Sequence, residues 1–221
     1  NSEDIEIINE DKIISFKEFS KINDNLSINI NYQNQFKERL DWYYQQILKI
    51  SFAINFIKKN KENLVIWDAD TIILEKIKFF DKDQSVNYGN FFEYHKAYYA
   101  TNEVIFKNLP NYFISFLNQF IAISKNECDF LTSNYLKYDY LNDKLGHKIS
   151  EYIIQSIFKK HKIYNGSLFS EYEFIGQSNF KYNKLMQKPM LFLRFGLDGK
   201  LTKFQKNISV LLGYKHVTYE H

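Results

Sequence analysis

An apolar run that ends in two closely spaced aspartates is the strongest constraint on how this chain folds. Residues 64–67 read L-V-I-W, and Asp68-Ala69-Asp70-Thr71 follows directly. Such a run predicts a buried strand, so Asp68 and Asp70 are expected where the chain leaves the sheet. Open α/β sheets bind ligands at such strand ends. Two carboxylates this close repel each other, which indicates a cation beside them, and Mg²⁺ or Mn²⁺ suits oxygen ligands best.

The D-x-D pattern alone leaves several interpretations open. Turn and helix-cap chemistry accounts for many paired aspartates. In haloacid-dehalogenase-type phosphatases the pattern continues as D-x-D-x-T or D-x-D-x-V, whereas the fifth position here is Ile72 and no Asp-Asp dipeptide occurs in the chain. In metal-dependent nucleotide-sugar glycosyltransferases the D-x-D strand follows a first nucleotide-binding half, which suits a motif some way into the chain.

Two further motifs accompany the D-x-D strand. Residues 39–49 read R-L-D-W-Y-Y-Q-Q-I-L-K, and residues 169–176 read F-S-E-Y-E-F-I-G. With W-D-A-D-T they resemble the W-Y-x-Q-Q-x-L-K, D-A-D-T and S-E-Y-E signatures of a bacterial family of GT-A-type glycosyltransferases, which is catalogued mainly as a domain of unknown function. The resemblance covers about residues 5 to 221. It implies an α/β fold, GT-A-like and therefore Rossmann-like, with a mixed sheet flanked by helices.

The resemblance also implies roles for particular residues. Asp68 and Asp70 are expected to hold Mn²⁺ or Mg²⁺ at the diphosphate of a nucleoside-diphosphate sugar, and Gln46 and Lys49 are expected to contact this donor. In several GT-A enzymes a C-terminal histidine completes the metal site, which implies that role for His221. The implied acceptor is a glycan or a lipid-linked glycan of the bacterial surface, such as lipopolysaccharide or capsule.

These assignments have plainer alternatives. Gln46 and Lys49 are also explained as a solvated helix face, and His221 as a terminal surface residue. Glu171 and Glu173 lie near a predicted helix start, where negative charge stabilises the helix. Their functional interpretation is a general base for the acceptor hydroxyl, with Glu171 the first choice and Glu173 the second. Inversion and retention of the anomeric centre both stay open.

Composition bounds the remaining possibilities. The 221 residues predict one domain, residues 1–221, with a nucleotide-binding part of about 1–75 and an acceptor-side part of about 76–221. A content of 18% aromatic residues excludes disorder as the dominant state. No segment resembles a nucleic-acid-binding motif, and a net charge of +3 is too small to indicate nucleic acid as a partner. The single cysteine, Cys128, indicates a reducing cytoplasm, and the basic pairs Lys58-Lys59 and Lys159-Lys160 leave room for peripheral contact with the inner membrane surface.

Apolar spacing predicts the remaining elements. A stripe from Phe36 to Ile57 recurs at spacings of four and three, which predicts a long helix. The other predictions are a strand at residues 5–8, short strands and loops across 88–106, a helix opened by Pro110 with Leu117, Phe120 and Ile121 on its buried side, a helix at 147–161, a strand at 190–195 and a helix ending near 212. The strand at 5–8 looks like the second strand of a GT-A fold, so the first is expected to be missing from this numbering.

A missing first strand would leave the donor site incomplete. This keeps a catalytically inactive, transferase-like interaction domain among the alternatives. A nucleotidyltransferase is a further alternative, because it would use a similar sheet and metal but release a different product.

Overall fold

The computed structural model describes residues 6–25, 36–91, 93–109, 114–137, 144–161, 166–183, 188–196 and 201–220. Its α-helices are α1 (Phe16–Asn25), α2 (Leu40–Asn60), α3 (Lys96–Phe106), α4 (Lys125–Leu131), α5 (Leu145–Lys160), α6 (Glu171–Asn183) and α7 (Lys203–Leu211). Its strands are β1 (Leu64–Trp67), β2 (Thr71–Ile73), β3 (Phe80–Asp81), β4 (Gln84–Ser85), β5 (Tyr88–Gly89), β6 (Phe120–Ile123), β7 (Lys188–Pro189), β8 (Leu191–Gly196) and β9 (Tyr214–Glu220).

These strands pair into small sheets. β1 pairs antiparallel with β6, β3 antiparallel with β4, and β5 parallel with β7. The remaining three strands form a mixed sheet in the order β2-β9-β8, in which β2 is antiparallel and β8 parallel to β9. The predicted mixed α/β class is therefore confirmed. The GT-A-like arrangement of these elements stays a prediction.

Helix α2 is the centre of the hydrophobic core. Its apolar stripe, predicted from sequence, is buried from Leu40 through Tyr43, Ile47, Ile50 and Ile54 to Ile57. It packs against α1, α5, α6 and β1, so it joins the helical layer to the strand that precedes the aspartates. The core therefore fixes α2 relative to the end of β1.

Three predicted elements are wrong. Residues 96–106 form helix α3, whose buried side chains Tyr98, Thr101, Asn102, Ile105 and Phe106 recur at helical spacings that the abundant aromatic residues concealed. Residues 114–119 are not helical. Phe120 and Ile121 belong to the fully buried strand β6, because pairing with β1 outweighs the apolar spacing that predicted a helix. Residues 6–9 have no regular structure where a strand was expected. Residues 110–113 lie outside the described part.

The strand at 64–67 and the helix over 147–161 are confirmed as β1 and α5. The residues of β1 are half-buried rather than fully buried. Among the described residues, no helix has the length and apolar character needed to cross a membrane.

Gly176 lets α6 approach Phe116 closely. A Cβ at this position would lie 2.2 Å from Phe116 Cγ. Alanine gains about 1 kcal/mol of helix propensity over glycine, whereas overpacking a core typically costs about 1–3 kcal/mol. Because 2.2 Å is a severe overlap, we expect Gly176→Ala to lower the free energy of unfolding by about 1–2 kcal/mol net. Equilibrium urea unfolding measures this change. An unchanged or raised stability would contradict the tight contact.

Candidate functional site

The two aspartates lie in a tight turn that links β1 to β2. The Thr71 amide donates to the Asp68 carbonyl at 3.0 Å, which closes the turn. The Tyr219 amide of β9 donates to the Asp70 carbonyl at 3.0 Å, and the Trp67 indole N–H donates to the Thr71 carbonyl at 2.8 Å. The backbone between the two carboxylates is thereby held by strands from two different sheets.

Lys49 of α2 bridges two carboxylates. Its Nζ lies 2.6 Å from Asp68 Oδ1 and 2.9 Å from Glu171 Oε1. The Tyr172 hydroxyl donates to the other oxygen of Asp68 and lies 3.3 Å from Lys49 Nζ. One ammonium thus serves two carboxylates, so the cluster formed by Lys49, Asp68, Glu171 and Tyr172 carries a net negative charge when both acids are ionised.

Burial and charge shift the pKa values of this cluster in different directions. Burial raises the pKa of Glu171, and the adjacent Lys49 ammonium offsets only part of that rise. Burial lowers the pKa of Lys49, but the carboxylates of Glu171 and Asp68 together outweigh it, so the pKa lies above its ordinary value. Burial, followed by the charges of Glu171 and Asp68, raises the pKa of Tyr172 well above its usual range. Tyr172 is therefore a hydrogen-bond donor to Asp68 at neutral pH.

Gln46 connects α2 to the first turn of α6. Its Oε1 accepts from the Glu171 amide at 3.2 Å, which satisfies one of the free N–H groups at that helix start. Within the described residues, Gln46 Nε2 and Ser170 Oγ are buried and have no hydrogen-bond partner. Buried polar atoms without partners are costly, so these two groups suit contact with a polar ligand.

A cavity of about 350 Å³ opens beside this cluster. All three sequence motifs contribute to its wall, through Gln45, Gln46 and Lys49, through Asp68, and through Ser170, Glu171 and Tyr172. The remaining lining residues are Trp42, Glu93, His95, Tyr98, Leu117, Gln119 and Arg194. The cavity therefore combines aromatic rings with paired charges, and its volume is within the usual range of small-molecule sites.

The structure brings four of the predicted site residues together and separates others. Gln46, Lys49, Asp68 and Glu171 all line the cavity. Asp70 follows on the same turn, and its carboxylate accepts a hydrogen bond from the Thr71 hydroxyl at 3.1 Å. Its charge also helps to raise the pKa of Tyr172, although burial, Glu171 and Asp68 have larger effects. His221 lies outside the described residues.

Glu173 has a different environment from Glu171. Its carboxylate is buried and accepts from Ser115 Oγ at 2.5 Å, from the Phe116 amide at 3.0 Å and from Gln177 Nε2 at 2.9 Å. Burial raises the pKa of Glu173, and these donors offset part of the rise. Through Ser115 and Phe116, Glu173 links α6 to the segment before β6 by hydrogen bonds. Glu173 is not among the residues that line the cavity.

The carboxylates fit a cation that arrives with a substrate. Magnesium-type ions are usually held by one or two carboxylates together with substrate phosphates. Asp68 and Asp70 supply two such groups at one turn. Among the described residues, no three His, Cys, Asp or Glu side chains are grouped closely enough to hold a metal by themselves.

Sequence reasoning missed several cavity residues. Tyr172 stands inside the S-E-Y-E motif, and its place between two glutamates was a usable signal. The ion pair of Glu93 with Arg194, whose Nη2 lies 3.1 Å from Glu93 Oε2, joins residues 101 positions apart and left no local signal.

Comparison with known proteins adds no relative. No protein-family model, curated protein or solved structure matches the chain. The GT-A resemblance of the three motifs therefore stays a prediction.

Proposed function

We propose that this chain is a metal-dependent glycosyltransferase that moves a sugar from a nucleoside-diphosphate donor to a hydroxyl of a bacterial surface glycan. The proposal is supported chiefly by one observation: three motifs that are far apart in sequence line a single cavity beside paired carboxylates. Proteins of this kind need a cation site, a basic group and a polar sugar pocket in one place, and residues suited to each meet here.

Asp68 and Asp70 are the proposed ligands of Mn²⁺ or Mg²⁺. When bound, such an ion neutralises negative charge on a departing diphosphate. Lys49, the only ammonium among the described residues that line the cavity, would place a second positive charge beside the donor phosphates. Gln46 Nε2 and Ser170 Oγ are proposed to bind hydroxyl groups of a sugar, because both lack partners among the described residues.

Glu171 is the proposed general base of an inverting reaction. Burial raises its pKa, which makes the ionised carboxylate a stronger base, while Lys49 at 2.9 Å favours ionisation at neutral pH. Glu173, the second choice, has less support because its carboxylate already accepts from three donors away from the cavity. A retaining reaction would require no such base.

The phosphatase alternative has less support than transfer. The motif has Ile72 at the fifth position, where those enzymes have threonine or valine, and no Asp-Asp dipeptide occurs in the chain. A nucleotidyltransferase would differ by its product, a sugar nucleotide or free diphosphate. An inactive interaction domain would bind neither nucleotide nor cation.

Thermal unfolding with a panel of nucleoside diphosphates and their sugars, with and without Mn²⁺, tests the proposal. A ligand at about 100 times its Kd stabilises the folded state by about 2.7 kcal/mol. For a chain of this size we expect a rise in Tm of about 5 °C or more with one nucleotide and Mn²⁺. The rise should disappear in Asp70→Ala, because one of the two proposed cation ligands is removed.

Asp129→Ala is the control, because it removes an aspartate of α4 that pairs with Lys58, away from the turn of Asp68 and Asp70. It should keep the nucleotide-dependent rise. Absence of a rise with every nucleotide, or an equal rise in Asp70→Ala, would count against the proposed function.

A further inference from the structure

Helix α7 presents an apolar face to solvent. Phe204 is 73% exposed, Ile208 39% and Leu211 85%, and Leu212 at the C-cap is 63% exposed. Spacings of four, three and one place these side chains on one side of the helix. Single exposed apolar residues are common, but a contiguous group of this kind marks a contact surface. We call these four residues the α7 face.

The helix holds this face outward. Thr202 Oγ1 accepts from the Gln205 amide at 3.2 Å and Gln205 Oε1 accepts from the Thr202 amide at 2.9 Å, which forms a capping box at the helix start. The opposite side includes the buried Ser209, and α7 packs on β9. The helix is therefore formed before any partner arrives, so binding requires no folding of the segment.

The segment of the chain that carries the α7 face has an excess of positive charge. Residues 201–219 contain three lysines, Lys203, Lys206 and Lys215, and no aspartate or glutamate. Lys203 and Lys206 are exposed on α7 itself, whereas Lys215 of β9 pairs with Glu75. Long lysine side chains reach past neighbouring apolar groups to place their charge at a polar boundary. A partner that combines apolar and anionic character matches this surface.

The size of the face favours a membrane over a second copy of the chain. Stable protein dimers usually bury about 800 Å² on each partner. Four side chains of one nine-residue helix fall short of that area. Interfacial helices, by contrast, need only an apolar face a few residues wide, with basic residues that interact with anionic lipids.

We propose that the α7 face binds the surface of an anionic lipid bilayer. Phe204, Ile208, Leu211 and Leu212 enter the boundary between headgroups and acyl chains, and Lys203 and Lys206 interact with anionic headgroups. This surface is separate from the cavity at Lys49, so the inference does not depend on the proposed glycosyl transfer.

Sedimentation with lipid vesicles tests the proposal on the whole chain without nucleotide or metal. The vesicles are phosphatidylcholine alone or phosphatidylcholine mixed with phosphatidylglycerol. We expect binding to the mixed vesicles and much weaker binding to the neutral ones. Phe204→Gln with Leu211→Gln should lower the partition coefficient at least about tenfold, because two apolar side chains no longer leave water. Lys203→Gln with Lys206→Gln should lower it about fivefold for each charge removed.

Ile7→Gln is the matched control, because Ile7 is 93% exposed but lies far along the chain from α7. Its partition coefficient should equal that of the unaltered chain. Circular dichroism checks that each variant keeps its fold, which these exposed positions should allow. Absence of binding to mixed vesicles, or an equal loss in Ile7→Gln, would overturn the proposal. So would a dimer, seen by sedimentation equilibrium, that Phe204→Gln with Leu211→Gln abolishes.

Discussion

Replacing Lys49 by methionine is expected to lower the free energy of unfolding at pH 8 by about 3 kcal/mol, near the lower end of the range for breaking a buried ion pair. The substitution keeps an apolar stem of similar length but removes the ammonium between Asp68 and Glu171. Glu171 is almost fully buried, so its charge would stay in the interior without a counter-ion. Asp68 and Lys49 are more exposed, which is why the lower end of the range applies.

The loss should depend on pH. Burial raises the pKa of Glu171 in the folded protein, and removal of Lys49 raises it further because an attractive charge is gone. A carboxyl whose folded pKa exceeds its unfolded value destabilises the fold where it is ionised, and this destabilisation disappears as pH falls and the group takes up a proton. The difference between the variant and the unaltered chain should therefore be smaller at pH 5 than at pH 8.

Urea unfolding at the two pH values measures the effect. Lys160→Met is the control, because Lys160 pairs with Glu103 at 3.0 Å but both side chains are largely solvated. Exposed pairs typically contribute about 1 kcal/mol or less, so this control should change little. A loss in Lys49→Met that is no larger than in Lys160→Met, or that is the same at both pH values, would contradict the interpretation of the cluster.

The second large effect is expected at His216, which should make the fold sensitive to acid. Its ring stacks on Phe192 at 4.6 Å between centroids and lies edge-on to Trp67 at 5.6 Å. Among the described residues, neither ring nitrogen has a hydrogen-bond partner. Burial, and secondarily the charge of Arg194, lowers the pKa of His216 from 6.5 to about 4.

The sign follows from the two pKa values. Between about pH 6.5 and pH 4 the unfolded chain binds a proton at His216 that the folded chain does not, so stability falls as pH is lowered through this window. With 1.36 kcal/mol for each unit of pKa difference, the full loss is about 3 kcal/mol. Above pH 7 the residue should have no further effect.

His216→Phe should remove this component of the acid sensitivity. Urea unfolding at several pH values between 7 and 4.5 gives the slope of the free energy of unfolding against pH. The slope of His216→Phe should be shallower than that of the unaltered chain, whereas His147→Gln, at an exposed position of α5, should leave the slope unchanged. Equal slopes in all three proteins would show that His216 accepts its proton without cost.

The parts of the fold that sequence could predict are those with a clear local period. The stripe of α2, the strand before Asp68 and helix α5 all follow from apolar spacing within one segment. Helix α3 was missed because its aromatic residues favour strands in isolation. Strand β6 was missed because its structure depends on a partner strand 53 to 59 positions away.

The candidate site could likewise be predicted only in part from local sequence patterns. Asp68 and Glu171 could be singled out from their motifs, but their meeting at Lys49 joins residues 19 and 122 positions from that lysine, which no local pattern encodes. The separation of Glu173 from Glu171 was predictable in principle, because residues two apart on a helix do not face the same way. A helix that starts near residue 171, as the sequence predicts, already implies this separation.

The pairing of β2 with β9 sets the order in which the turn between Asp68 and Asp70 is secured during synthesis. Thr71 and Thr218 share a hydrogen bond across 147 residues. At a synthesis rate of about 5–20 residues each second, roughly 7 to 30 s pass between the making of these two threonines. The described residues that line the cavity, up to Arg194, are already in the nascent chain before β9 is made. A chain made only as far as residue 213 can therefore bring together the wall residues of α2, β1 and α6, whereas β8, which carries Arg194, and the backbone of Asp70 still lack their partner β9.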